Sequence, residues 1–181
     1  MRTTINLDDN IHEQAKEEGI NISQVCNKAL RHKLDKSQCY IWNTNKQHFP
    51  EGEDGTEALY QGVAAAYGDY DQWGSQLEEP SIGDQLIAYV NRKGYCATGR
   101  VVGPFNGQEI QNEDEKIDPR VPEWHLPVRW EAVLDLEDAV SRQHGNGILD
   151  YKEKYSPSET VRRIKDTERA QLLVDLIRGR A

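Results

Sequence analysis

Cysteine, methionine and phenylalanine are scarce in this chain: three Cys, one Met and two Phe among 181 residues. The cysteines (Cys26, Cys39, Cys96) are odd in number and show neither a CxxC pair nor metal-ligand spacing. A disulfide framework and a zinc cluster are therefore not expected, and the thiols read as reduced groups of a cytoplasmic protein. No apolar run approaches the ~18 residues that would span a bilayer. No hydrophobic stretch follows Met1-Arg2-Thr3-Thr4, so no leader peptide is expected. Catalytic patterns are missing as well. His12, His32, His48, His125 and His144 are scattered, and no second histidine stands at helical spacing from any of them. His12-Glu13 lacks the second histidine of a zinc-protease motif, and there is no phosphate loop and no nucleophile elbow. Glu78-Glu79 and Asp135/Glu137/Asp138 read as solvated surface. These absences point to a binding protein, with no metal and no cofactor, rather than to an enzyme.

Positive charge is also short. The chain holds 22 Lys and Arg against 31 Asp and Glu, a net charge of −9. The deficit is uneven. Residues 1–36 carry six basic and six acidic side chains, so all of the acidic excess, 16 basic against 25 acidic, lies in residues 37–181. A nucleic-acid contact is easier to place in the first segment than in the second.

In the first segment, Arg2-Thr3-Thr4-Ile5-Asn6-Leu7 alternates, with Ile5 and Leu7 on one face and Arg2, Thr4 and Asn6 on the other. Asp8 and Asp9 start a helix through about Glu18, which Gly19 ends. Asn21 or Ser23 caps a second helix running to about Leu34, along which Ile22, Val25, Cys26, Ala29, Leu30 and Leu34 form one apolar stripe. A lone six-residue strand has no partner within this segment, and so few residues bury too little surface to be stable alone. Pairing with a second copy solves both problems and gives a two-stranded ribbon that carries Arg2, Thr4 and Asn6 twice, on a scale that fits a DNA major groove. The helix start at Asn21 and Ser23 offers free backbone N–H groups to a phosphate. The alternative is that this module serves only to dimerise the rest of the chain.

The basic residue opening the strand, the acidic helix start and the Asn21-Ile22-Ser23 turn resemble the DNA-binding half of CcdA-type antitoxins, which are ribbon–helix–helix repressors. That resemblance implies Arg2, Thr4 and Asn6 as base readers. Antitoxins of this type continue into a toxin-binding tail, whereas here a folded domain is expected.

From residue 38 onward, Cys39–Trp42, Gln85–Val90, Tyr95–Val102, Leu126–Val133 and Thr160–Ile164 read as strands. Glu57 to about Tyr67, with its alanines, reads as a helix, as does Thr167–Arg178 with Leu172, Leu173, Leu176 and Ile177 on one face. Residues 106–120 read as a long polar loop. The expectation is an α+β chain: a dimerising module over 1–36, then a mixed β-barrel with flanking helices over 38–181. Tyr40-Ile41-Trp42-Asn43-Thr44-Asn45, Ile82–Val90, Gly94–Val102 and His125–Trp130 resemble, in order, the EVE domain of the PUA-like superfamily, related to the YTH readers of methylated RNA. The resemblance implies a modified base, plausibly 5-methylcytosine or a relative, flipped into an aromatic cage, with Trp73 and Ser75 as the "Trp-x-Ser" of the cage. It also implies Asn43, Thr44 and Asn45 as readers of the base edge, with Tyr95 or Phe105 as the second wall. By context Trp42 and Trp130 read as core. Arg100 and Arg129 either reach phosphates or form a solvated face. Two functions follow as expectations: a dimeric DNA-binding reader of a modified base, or an antitoxin-type regulator whose larger domain takes a partner protein or small ligand. A toxin or nuclease partner is left open.

Overall fold

The computed structural model describes residues 9–26, 37–44, 56–149 and 159–181. The expected ribbon strand with Arg2, Thr4 and Asn6 lies outside the described residues, as does Asn45. The chain divides into two compact units, Met1–Lys36 and Ser37–Ala181.

In the N-terminal unit, α1 spans Asp9–Glu17. It closes in a Schellman turn: Ile20 N–H donates to Ala15 O (2.7 Å) and Gly19 N–H to Lys16 O (3.2 Å), with Gly19 at φ +67. The next helix, α2, is described over residues 22–26. Asn21, not Ser23, caps it, its Oδ1 accepting from Gln24 N–H at 3.1 Å.

The larger unit is a six-stranded mixed sheet in the order β2-β5-β4-β3-β1-β6. The strands are β1 (Cys39–Thr44), β2 (Val63–Tyr67), β3 (Gln85–Val90), β4 (Gly94–Val101), β5 (Glu123–Val133) and β6 (Val161–Ile164). Only β1 and β3 run parallel, from Cys39↔Gln85 to Thr44↔Val90. Asp84 sets their register, its carboxylate accepting from Gln38 N–H and Ser81 N–H, each at 2.8 Å. The sheet curls into half a barrel, and Trp42 shows why. Although β1 and β2 are four places apart in the sheet, the buried Trp42 donates its Nε1–H to Ala65 O at 2.9 Å across the interior.

Side-chain alternation divides the core in two. Tyr40 and Trp42 of β1, with Leu86 and Ala88 of β3, face the barrel interior. Cys39 and Ile41, with Ile87 and Tyr89, face outward and are covered by α4 (Arg142–Ile148) and α5 (Thr167–Arg178). Burial in this outer layer pushes the Cys39 thiol up to about 12, with Asp84 adding to the effect. The chain from Gly68 to Asp84 closes the gap between the sheet edges: Gln76 Oε1 accepts from Val161 N–H (3.2 Å), and Tyr40 Oη donates to Glu79 O (3.3 Å).

Several expectations need correction. The helix expected over 57–67 stops at Gln61, as α3 (Glu57–Gln61), because Gly62 takes the left-handed conformation (φ 72) as its C-cap. The alanines that follow form β2 instead, since their small side chains fit the interior opposite Trp42. Strand β5 starts three residues earlier than expected, and α4 was not anticipated. On α5 the buried stripe is Ala170, Leu173, Val174 and Ile177, whereas Leu172 is exposed.

Candidate functional site

The turn after β2 carries Trp73 and Ser75. It is held from below by Gly68 N–H donating to Pro122 O (2.8 Å) and wound by Trp73 N–H to Asp69 O (2.8 Å) and Ser75 N–H to Tyr70 O (2.7 Å). Ser75 Oγ donates to Asp71 O at 2.9 Å, so its hydroxyl helps to wind the turn. Trp73 is half-buried, packed against the interior core. Packed in the same core is an aromatic group drawn from three separate segments. Tyr70 lies 6.5 Å from Phe105 with near-parallel rings (13°) and 5.4 Å from Trp124 in a tilted arrangement. Only glycine fits at position 74, where a Cβ would stand 2.7 Å from the Tyr70 ring and 3.1 Å from Trp124. The Tyr70 hydroxyl donates to Glu78 at 2.6 Å, which pushes it up to about 12, so the ring stays neutral.

Asn43 and Thr44 sit at the C-terminal end of β1. Thr44 is buried on the Trp42 side, and its carbonyl accepts from Asn91 N–H (3.2 Å). Asn43 falls on the other face, beside Tyr89, and donates its N–H to Thr160 O (2.9 Å). The structure thus brings Trp73 and Ser75 together in one turn and sets Asn43 and Thr44 on opposite faces of one strand. Of the two candidate second walls, Tyr95 is fully buried in the outer core against Tyr89, whereas Phe105 stands half-buried in the Tyr70 group. Trp42 is core. Trp130 packs against it at 5.6 Å on the inner face, only partly buried.

Sequence reasoning missed a buried carboxylate. Glu123 is fully buried and accepts from Ile117 N–H (3.0 Å) and Asp118 N–H (2.9 Å), and it also contacts His125 Nε2. Asp118, also buried, pairs with Arg120 at 2.7 Å. Burial pushes the Tyr67 hydroxyl well above its usual range, with Glu123, Asp118 and Glu57 adding to the effect. The network fastens the long loop, with Ile110 N–H donating to Glu123 O (2.8 Å), and so holds Phe105 in place over the barrel. A strand residue paired with its neighbour two places on was the available signal.

A cavity of about 170 Å³ lies elsewhere, lined in part by Gln38, Cys39, Arg100 and Gln171, and includes none of the residues expected to hold a base. Among the described residues, no three His, Cys, Asp or Glu side chains cluster as metal ligands would, and no helix is long and apolar enough to cross a membrane. In the N-terminal unit, the Asn21 side chain itself takes up the Gln24 N–H, and Ser23 is exposed as the second residue of the helix.

Residues 1–52 match the family described as post-segregation antitoxin CcdA. Among solved structures, the YTH domain of Pho92 in complex with m6A is similar over 79% of this chain and 87% of its own, with a TM-score of 0.54 at 14% identity. The likeness is one of fold. An ASCH protein from Zymomonas mobilis covers 77% of this chain and 95% of its own, with a TM-score of 0.45 at 9% identity. A protein from Agrobacterium tumefaciens covers 77% and 92%, with a TM-score of 0.47 at 12% identity. No curated protein matches the chain.

Proposed function

We propose that this protein is a dimeric DNA-binding reader of a modified base, with an N-terminal ribbon–helix–helix that pairs two chains and a larger domain that takes the flipped base. The observation that carries this reading is the half-buried Trp73, packed on the same core as the Tyr70–Phe105 pair, on a fold that in one similar solved structure holds m6A. A flipped base needs apolar ring faces at an opening, and stacking supplies ~1–3 kcal/mol per base against a flipping cost of a few. Trp73 forms one wall and Phe105 the other. Asn43, Thr44 and Asn45 are the candidates for reading the base edge, and Ser75 winds the turn that carries Trp73. Arg2, Thr4 and Asn6 read the groove, and the helix start at Asn21 and Ser23 meets a phosphate. Dimerisation is supported by the match of residues 1–52 and by two apolar side chains of the small unit, Ile20 and Val25, that stand exposed at 44% and 53%. In this reading the function is binding, and the Glu123–His125 pair serves to hold the long loop.

A second reading, an antitoxin-type regulator whose larger domain binds a partner or small ligand, draws on the same N-terminal match. A screen of duplex and single-stranded DNA and RNA oligonucleotides, each with one modified base, separates the two. The reader binds at least one modified oligonucleotide about tenfold or more tighter than its plain counterpart, and Trp73→Ala abolishes the difference. Equal affinity across the screen leaves operator binding alone.

A further inference from the structure

On the outer face of the sheet, Arg100 of β4 and Arg129 of β5 are direct cross-strand partners. Like charges in this position repel and destabilise a sheet. One carboxylate serves them both: Glu131 lies 3.4 Å from Arg100 Nε and 3.8 Å from Arg129, and it also takes Arg178 from the end of α5 at 2.5 Å. Among the described residues, three guanidinium groups thus share one anion, which leaves two positive charges in excess within a unit that is acidic overall.

The fold accounts for only part of this. Arg178–Glu131 ties the last turn of α5 to the sheet, and Arg100 also donates to Gly83 O at 3.1 Å. Arg129 shows no such duty among the described residues. Its side chain is 70% exposed and its contact with Glu131 is long, so it contributes little to stability. Each guanidinium has five N–H donors in a planar fork suited to phosphate, and the contacts above use only a fraction of them.

We infer that the Arg100–Arg129–Arg178 group is a contact surface for the phosphodiester backbone of nucleic acid, with Glu131 holding the three side chains in place and competing with the phosphates for them. This rests on the nucleic-acid reading above and adds a second contact to it, on the face opposite to the interior-facing aromatic rings. The surface carries no base-reading chemistry, so it raises affinity for modified and plain strands alike. Charge complementarity selects a polyanion.

The test is the affinity of the full chain for a plain duplex and for its best modified counterpart, measured against salt concentration. Each phosphate contact contributes about −0.9 to the slope of log K against log salt. Arg129→Ala should make that slope shallower by about 0.9, and Arg129→Glu should weaken binding further, with the modified-to-plain ratio unchanged in both. Glu131→Gln, which removes the competitor, should tighten binding to both duplexes although it loosens the end of α5. An unchanged slope in both Arg129 variants, or weaker binding in Glu131→Gln with the fold intact, would overturn the inference and leave the base-reading proposal standing. If the wild-type chain binds no oligonucleotide, both fall together.

Discussion

The two units of this chain meet the same requirement, burial of apolar surface, in opposite ways. The larger unit does so internally. Its sheet curls until Trp42 reaches Ala65, closing one core inside, while α4 and α5 cover a second core outside. In the described residues of the N-terminal unit, α1 and the start of α2 are joined by a Schellman turn, and Ile20 and Val25 stand about half exposed. Charge follows the same division, with a neutral small unit and an acidic large one. A unit that is complete can spend surface residues on a ligand; a unit that is incomplete must spend them first on a partner. That difference gives the two halves separate tasks in one molecule and makes them separable by mutation.

The largest effect should come from breaking the internal solution. Trp42→Ala removes the ring packed on Trp130 and the hydrogen bond to Ala65, and should cost the larger unit about 3–5 kcal/mol in denaturant unfolding. Amide exchange in α1 should be unaffected. The converse experiment targets the small unit. Ile20→Asp with Val25→Asp should weaken self-association at least tenfold in sedimentation equilibrium while the unfolding midpoint of the larger unit stays put. Asn21→Ala, which removes the α2 cap, should cost about 1 kcal/mol and confine its effect to the same unit.

A smaller effect, in the larger unit alone, depends on pH. Burial, with Glu159 adding and Arg163 opposing, holds the Glu79 carboxyl above its ordinary value of 4.5. The folded chain therefore binds this proton more tightly than the unfolded one, so the stability it contributes is fully present below the ordinary value and is lost as pH rises through the folded one. Glu79→Gln should raise Tm at pH 7, and the gain should disappear on acidification to about pH 4.

How much of this was legible in the sequence depended on how local each signal was. The β3–β4 hairpin and the course of α5 could be read because alternation, turn residues and a capping Asp166 lie within a few positions of what they specify. β2 could not: three alanines favour a helix until Trp42, more than twenty residues away, asks for small neighbours. α4, Arg-Gln-His-Gly-Asn-Gly-Ile, has two glycines and no apolar stripe, and it forms by packing on the outer core. Within the candidate site, Trp73 and Ser75 were singled out by their resemblance to the Trp-x-Ser of a cage. The choice of Phe105 over Tyr95 could not be read, because it depends on which face of the sheet each ring occupies. Nor did the order Asn43-Thr44 reveal that the two side chains diverge. The Glu123–His125 pair was overlooked because the strand was expected to start only at Leu126, which left both residues outside it; the loop over 102–122 buries Glu123.

The central claim of the proposal is that discrimination between a modified and a plain base depends on Trp73 of the larger unit, whatever the N-terminal unit contributes to overall binding. The most direct test is the ratio of dissociation constants for plain and modified duplexes in the full chain, compared between wild type, Trp73→Ala and Ile20→Asp/Val25→Asp. The account predicts a ratio of about ten or more in wild type, a ratio near one in Trp73→Ala, and weaker binding with an undiminished ratio in the dimer-breaking variant. A wild-type ratio of one, or one that survives Trp73→Ala, would contradict it.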